Sequence, residues 1–175
     1  MEQNTLKTNI LNAAGTAGLA LGAVSTAYMF LNQYIGTADI SPILTSVLTL
    51  VLWCAKFAGC IWLMMFFMKR FAAQNDITDS KTIYRMGALT AVLSAFVFAG
   101  AAFANVSLIS ADMFNEQYQA LIQQMAPAMD SNSMNMIDKV IDNMPYITFF
   151  SNLIYCSIYG TVLSLILSRN IFERI

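Results

Sequence analysis

Four long apolar segments divide this sequence, and they largely decide what the chain can fold into. They cover approximately residues 10–34, 43–68, 86–108 and 146–168, and none contains an aspartate or a glutamate. A helix needs about 20 predominantly apolar residues to cross the hydrocarbon core of a bilayer. Because backbone N–H and C=O groups cannot stay unpaired in lipid, each segment must be helical. The sequence therefore predicts an all-α, polytopic membrane protein, a four-transmembrane-helix bundle in one membrane domain of residues 1–175.

The composition points the same way. Hydrophobic residues make up 58% of the 175-residue chain and charged residues only 11%, whereas soluble domains have about 25% charged residues. The few basic residues are scattered and form no stripe that could follow phosphates, which argues against nucleic-acid binding. The first segment stays apolar up to Tyr34, so we expect a retained helix rather than a cleaved signal peptide.

The basic residues predict the orientation. One side of the predicted membrane collects seven of the nine: Lys7, Lys69, Arg70, Lys81, Arg85, Arg169 and Arg174. The opposite side has only Lys139, among several acidic residues. Because Lys and Arg stay preferentially in the cytoplasm, both termini are expected there, with a polar cytoplasmic loop over residues 69–85.

No catalytic or metal-binding motif emerges. Histidine is absent, which removes the commonest general base and metal ligand. No paired carboxylates or nucleophile motif lie near an expected membrane interface, so we predict neither a catalytic site nor a cofactor nor a metal. The cysteines Cys54, Cys60 and Cys156 lie in apolar runs, and we interpret them as small buried side chains.

A single lysine interrupts the second segment, in VLWCAKFAGCIW. Lys56 lies 13 residues from Ile43 and 12 from Met68, close to the bilayer midplane. Placing a lysine there costs about 2.5–3.5 kcal/mol on insertion scales, so something must offset that cost. Gly59 and Cys60 share the helical face of Lys56, which suggests that this face packs on protein.

Matching depths across antiparallel helices predicts the neighbours of Lys56. We expect a neutral polar cluster, built mainly from the fourth helix, of Lys56, Asn152, Tyr155, Tyr159, Ser94 and Ser25. Three interpretations stay open: a neutral or hydrated lysine that fixes helix register, a cation paired with a partner protein or lipid phosphate, or part of a transport or proton-relay path.

Small residues at every fourth position are typical of close helix packing in lipid. The first helix has Ala14, Gly18 and Gly22 in this spacing, the third has Gly87, Ala91, Ala95 and Ala99, and the fourth has Gly160, Ser164 and Ser168. These ladders predict a compact bundle. They are equally compatible with a homodimer or with a partner's helix.

A long external segment, residues 110–144, separates the third and fourth segments. Ser110 and Ser131 are predicted helix caps, with a break around Pro127. The first helix would gather Met113, Phe114, Tyr118, Leu121, Ile122 and Met125 on one face, and the second Met134, Ile137, Val140, Ile141 and Met144. We expect amphipathic helices on the outer membrane surface or over the bundle. The methionines, including Met129 and Met136, fit apolar contacts better than Cu(I) binding. The acids, including Asp112 and Asp130, fit a solvated face better than a cation site.

The layout resembles a bacterial family of small four-helix inner-membrane proteins known only as a domain of unknown function. The similar stretches are NAAGTAGLALGAVSTAY, FFMKRF, FNEQYQALIQQM and LSRNIFERI. The resemblance implies the same topology, in a bacterial inner membrane, and no activity. We therefore expect a non-catalytic accessory or scaffold protein that binds lipid and either a protein partner or further copies of itself. The alternative is a small oligomeric transporter or channel that uses Lys56, Tyr155 and Tyr159. An enzyme acting on lipids is a third reading, disfavoured by the missing catalytic motif.

Overall fold

The computed structural model describes residues 2–38, 40–77, 79–125 and 131–172, with side chains for 6–38, 40–77, 79–125, 134 and 136–171. The described chain is helical, without a β-strand. Its helices are α1 (Glu2–Thr37), α2 (Pro42–Gln74), α3 (Ser80–Ala104), α4 (Ala111–Met125), α5 (Ser131–Asp142) and α6 (Met144–Phe172). A π-helical turn, Asn105–Ile109, directly follows α3. The predicted all-α fold is confirmed.

Four stretches of these helices are long and apolar enough to cross a membrane. They are Leu6–Thr37, Pro42–Gln74, Ser80–Ile109 and Met144–Ile171. Each contains one of the four segments predicted from the sequence. The chain is thus a multi-pass membrane protein with four transmembrane helices.

The connection between α2 and α3 is shorter than the polar loop expected over residues 69–85. Only residues 75–79 separate the two helices, so Lys69, Arg70, Lys81 and Arg85 lie on helix ends instead of in a loop. The prediction was wrong in extent because lysine and arginine are good helix formers once a helix leaves the hydrocarbon.

Asp79 caps the start of α3. Its carboxylate accepts hydrogen bonds from the backbone N–H groups of Lys81 (3.1 Å) and Thr82 (3.2 Å) and from the Thr82 hydroxyl (3.0 Å). Such an acceptor satisfies N–H groups that have no partner inside the first helical turn. These bonds favour the charged form, so the Lys81 N–H first and the Thr82 donors next hold the pKa of Asp79 below its ordinary value.

The same connection is tied to α1. The Asn75 side chain donates to the Phe71 carbonyl (3.0 Å) at the end of α2, and its amide oxygen accepts from Asn9 Nδ2 (3.0 Å). Asp76 then takes a left-handed conformation, with φ of 47°, which turns the chain toward α3. At the other end of α2, Ser41 Oγ accepts from the Leu44 N–H (3.4 Å) ahead of Pro42 in the first helical turn.

The chain divides into two compact units, Met1–Phe98 with Leu153–Ile175, and Ala99–Asn152. The core of the first unit draws on α1, α2, α3 and α6 near the end that carries the basic residues. Its buried side chains are Ala17, Leu21, Met64, Met68, Phe71, Ala72, Ile83, Met86, Leu167 and Ile171.

Small residues bring α1 against α3 in this unit. A Cβ added at Gly18 would lie 2.8 Å from the Leu93 Cβ, and one added at Gly22 would lie 2.7 Å from the Val97 Cβ. Both would also approach the α3 backbone, at 3.2 Å from the N or O of Ser94. Ala14, one turn before Gly18, is fully buried. The two helices can come this close only because the glycines have no side chain.

The contact of α3 with α6 uses the same device. A Cβ at Gly160 would lie 2.6 Å from the Ala91 Cβ, and one at Gly87 would collide with Ser164 Oγ. Ser164 is fully buried and its hydroxyl donates to the Tyr84 carbonyl at 3.1 Å, an interhelical hydrogen bond. Ala91 and Ala95 are also buried. Ladder residues of α3 and α6 therefore contact each other, whereas Gly18 and Gly22 of the α1 ladder contact other residues of α3.

The second unit is built around the π-helical turn. The Ser110 N–H donates to the Asn105 carbonyl (2.8 Å), five residues back, and the Ser110 hydroxyl donates to Asn105 Oδ1 (3.0 Å). Asn105 is buried, as is Ala99 of the predicted ladder. The Phe103 ring lies 5.6 Å from Tyr146 and 6.4 Å from Phe149. The Ser110 hydroxyl thus closes the π-helical turn, and its expected cap of α4 stays a prediction.

Helices α4 and α5, which cover the segment expected to be external, also belong to the second unit. On α4 the half-buried side chains are Met113, Phe114, Tyr118 and Ile122, whereas Leu121 and Met125 are exposed. On α5 they are Met134, Ile137 and Ile141, with Val140 exposed, and the half-buried Met144 begins α6. Desolvation raises the pKa of the Tyr118 phenol, consistent with an apolar face. Pro127, Met129 and Asp130 and the Ser131 side chain lie outside the described residues.

Candidate intramembrane site around Lys56

Lys56 is half-buried on α2 and points into the first unit. Its Nζ lies 4.7 Å from the centre of the Tyr28 ring on α1 and 5.3 Å from that of Phe98 on α3. A cation over an aromatic face gains about 0.5–1 kcal/mol when exposed and about 2 kcal/mol when desolvated. Two such contacts offset much of the cost of a lysine at this depth.

These two rings were missed by the sequence reasoning, which looked for polar partners on the fourth helix. Tyr28 follows Ser25 by three residues and Phe98 follows Ser94 by four, so each ring shares a helical face with a predicted cluster residue. That spacing is the signal that could have identified them.

Lys56 lines a cavity of about 200 Å³ in the first unit. Five of the six residues of the predicted cluster line it: Ser25, Lys56, Ser94, Tyr155 and Tyr159. The thiols of Cys60 and Cys156 face it from α2 and α6. The structure thus brings these groups together, and a function for them stays a prediction.

Asn152, the sixth residue of the predicted cluster, belongs to the second unit. Its side-chain amide donates to the Thr148 carbonyl of its own helix at 2.8 Å. Ser94 makes a similar bond within its own helix: its hydroxyl donates to the Ala91 carbonyl at 3.0 Å. Lys56 brings three N–H donors to the cavity, more than any other side chain that lines it.

Four aromatic side chains line the cavity and are also exposed at the surface of the protein. On α2, Trp53 stacks on Phe57 with 5.5 Å between ring centres, and on α6 Tyr155 stacks on Tyr159 at 6.4 Å. Phe57 and Tyr159 join the two pairs at 5.9 Å. Their exposed fractions are 52%, 41%, 70% and 41% for Trp53, Phe57, Tyr155 and Tyr159. We call their exposed edge the mouth of the cavity and, because all four belong to transmembrane helices, expect it to face acyl chains.

The face beside Lys56 is only partly packed on protein. Cys60 lines the cavity, but a Cβ added at Gly59 would meet nothing within 4 Å. Cys54, expected to be buried, is exposed on α2. The small residues Gly59 and Cys54 therefore do not mark close contacts between helices, unlike Gly18 and Gly160.

Metal binding finds no support in the part of the chain that is described. Within it, no three His, Cys, Asp or Glu side chains come close enough together to hold a metal ion. Met134 and Met136, considered as soft ligands, lie on α5, where Met136 is 71% exposed.

Four apolar transmembrane helices with small-residue contacts define a small multi-pass membrane protein. The chain belongs to the family described as protein of unknown function DUF4199, whose pattern matches residues 16–169. This confirms the resemblance seen in the sequence, and the family's description assigns no activity. Comparisons with the curated proteins and with the solved structures gave no match.

Proposed function

We propose that this chain is a non-catalytic accessory or scaffold protein of a bacterial inner membrane. In this proposal it binds a membrane-protein partner through the outward face of α2 and through the external amphipathic segment. One observation carries the proposal: ladder glycines of α1, α3 and α6 pack against other helices of the chain, whereas Gly59 of α2 does not.

The ladder glycines of α1, α3 and α6 are in close contact within the chain, as Gly18, Gly22, Gly87 and Gly160 show, although Gly15 on α1 and Gly100 on α3 meet nothing. On α2 the small residues Ala55 and Ala58 are exposed, and Gly59 meets nothing. Only 6% of the most apolar stretch of α2 is buried, against 28% for α1. A partner's helix could therefore approach the α2 backbone closely, as small residues allow in lipid.

The proposed orientation has both termini in the cytoplasm. Lys69, Arg70, Lys81 and Arg85 lie together on the adjoining ends of α2 and α3, while α4 and α5 follow the opposite end of α3. Lysine and arginine close to transmembrane helices are retained on the cytoplasmic side. Cysteine labelling from outside intact cells should then reach a cysteine placed at Gln119 on α4, and not one placed at Gln74.

Affinity capture from a mild detergent tests the scaffold proposal. Gly59→Leu should release a stoichiometric partner, because the new side chain keeps the partner's helix away from the α2 backbone. The chain should stay folded, because a Cβ added at Gly59 meets no other part of the chain. Gly15→Leu is the matched control, since a Cβ at Gly15 also meets nothing within 4 Å. The same partner retained by both variants would contradict the α2 interface. A chain that purifies only with copies of itself would replace the scaffold with a homo-oligomer.

The cavity around Lys56 favours a second candidate, a small oligomeric transporter or channel. A path across the first unit would have to pass the core below the cavity, where Met64 and Met68 are buried. Transport would therefore need those side chains to move. Proteoliposomes with an internal pH dye test this candidate: proton flux that Lys56→Met abolishes would support it, and the absence of flux in the wild type would exclude a proton path.

A further inference from the structure

The cavity around Lys56 has the properties of a binding site reached from the lipid. Met64 of the core and Leu163, which packs against the core, line it, and its exposed edge, the mouth, consists of the rings of Trp53, Phe57, Tyr155 and Tyr159. Because the exposed parts of these rings contact acyl chains, a ligand would enter sideways from the bilayer. It must therefore be soluble in hydrocarbon.

The charge of the cavity specifies the ligand's polar atoms. Among the described residues that line it, Lys56 is the only cation, and none of the four transmembrane segments contains an acidic residue. The rings of Tyr28 and Phe98 stabilise the ammonium group but accept no conventional hydrogen bond from it. A ligand that suits this cavity should offer acceptor oxygens to Nζ.

The size and shape of the cavity narrow the class of ligand further. An engineered apolar cavity of about 150 Å³ binds benzene, so about 200 Å³ accommodates one six-membered ring with substituents. The stacked pairs at the mouth, with interplanar angles of 18° and 12°, present flat surfaces to a planar molecule. A longer apolar tail would leave through the mouth into the bilayer.

An uncharged ligand fits this depth better than an anion. A phosphate or carboxylate would have to carry its charge from the headgroup region toward the midplane, at a large desolvation cost. A carbonyl oxygen carries no such charge and still accepts a hydrogen bond from an ammonium group.

We propose that the cavity binds the planar, carbonyl-bearing ring of a lipid-soluble quinone, with a carbonyl oxygen hydrogen-bonded to Lys56 Nζ and the tail between the rings of α2 and α6. The inference concerns binding alone. It does not depend on the protein partner proposed above, since Gly59 does not line the cavity.

The two tryptophans of the chain provide the test, because quinones quench indole fluorescence. Trp53 lines the cavity, whereas Trp62 does not line it and stacks on Phe66 at 5.8 Å. Trp62→Phe leaves Trp53 as the reporter, and Trp53→Phe leaves Trp62 as the matched control. Both variants are reconstituted in phosphatidylcholine vesicles and titrated with ubiquinone-1, and in parallel with a dibrominated fatty acid.

Quenching of Trp53 by ubiquinone-1 should saturate, while quenching of Trp62 should rise in proportion to the quinone in the membrane. Lys56→Met, in the Trp62→Phe chain, should raise the half-saturating mole fraction at least tenfold, and Lys69→Met should not change it. If Lys56→Met fails to fold, Tyr159→Leu, which removes one ring of the mouth, should weaken saturation instead.

Three results would overturn the proposal. The first is quenching of Trp53 and Trp62 to the same extent without saturation. The second is saturation by the brominated fatty acid at a lower mole fraction than by the quinone, which would identify a carboxylate site. The third is saturation that survives both Lys56→Met and Tyr159→Leu unchanged.

Discussion

The contact between α1 and α3 makes a quantitative prediction for Gly22→Ala. The added methyl group would lie 2.7 Å from both the Cβ and the Cγ1 of Val97. Carbon atoms prefer a separation of about 3.5–4.0 Å, so α1 and α3 would have to separate by about 1 Å. Inserting a methyl group into a packed contact typically costs about 1–3 kcal/mol.

Gly59→Ala is the matched control for this change. Alanine is a better helix former than glycine by about 0.8–1.0 kcal/mol, and both substitutions receive that gain. At Gly59 the new methyl group meets nothing within 4 Å, so no packing cost opposes it. We therefore expect Gly22→Ala to be less stable than Gly59→Ala by about 1–3 kcal/mol, or about 5- to 150-fold in the unfolding equilibrium constant.

Titration with sodium dodecyl sulfate in dodecyl maltoside micelles measures the difference. Helix content by circular dichroism and the fluorescence of Trp53 and Trp62 should give coincident transitions if unfolding is two-state. Equal transition midpoints for the two variants would refute the close approach of α1 to α3. A more stable Gly22→Ala would refute it still more directly.

Three further predictions use the same titration. Ser164→Ala loses the hydrogen bond to the Tyr84 carbonyl and should destabilise the chain by about 0.6–1.5 kcal/mol; an unchanged midpoint would show that this bond contributes nothing. For Asp79 the folded pKa lies below its ordinary value of 3.8, so its stabilisation is present above that value and lost as the pH falls through the lower folded pKa. The wild type should therefore lose stability over that range relative to Asp79→Asn, and parallel pH profiles would contradict the cap. Phe98→Leu should destabilise the wild type by about 0.5–2 kcal/mol more than it destabilises a Lys56→Met chain, and additive effects would exclude the cation–π contact.

The transmembrane helices were predictable because they depend on local composition. A run of apolar residues without an acid, such as 86–108, is sufficient to indicate a span. The helix ends were less accessible, because Lys69 and Arg70 continue α2 outside the hydrocarbon and hydropathy alone does not register that. The start of α3 depends on Asp79, whose capping role becomes visible only once its hydrogen bonds are known.

The candidate site shows where sequence reasoning ends. Matching depths along antiparallel helices placed Ser25, Ser94 and Tyr159 near Lys56, since depth follows from a residue count. The two rings that contact Nζ, Tyr28 and Phe98, depend on how α1 and α3 are rotated about their axes. That rotation is fixed by tertiary contacts such as Gly22 on Val97, which no single-sequence pattern specifies.

The volume of the cavity around Lys56 depends on the side chains that line it as well as on the spacing of the helices. Ala91 both lines it and holds Gly160, so the distance between α3 and α6 is fixed at the level of the opening. Cys60 and Cys156 line the same space from α2 and α6. Replacing either by alanine would enlarge the cavity by one side-chain atom, and replacing either by valine or leucine would shrink it by one or two. Related chains could in this way exchange one small molecule for another without evolving a new fold.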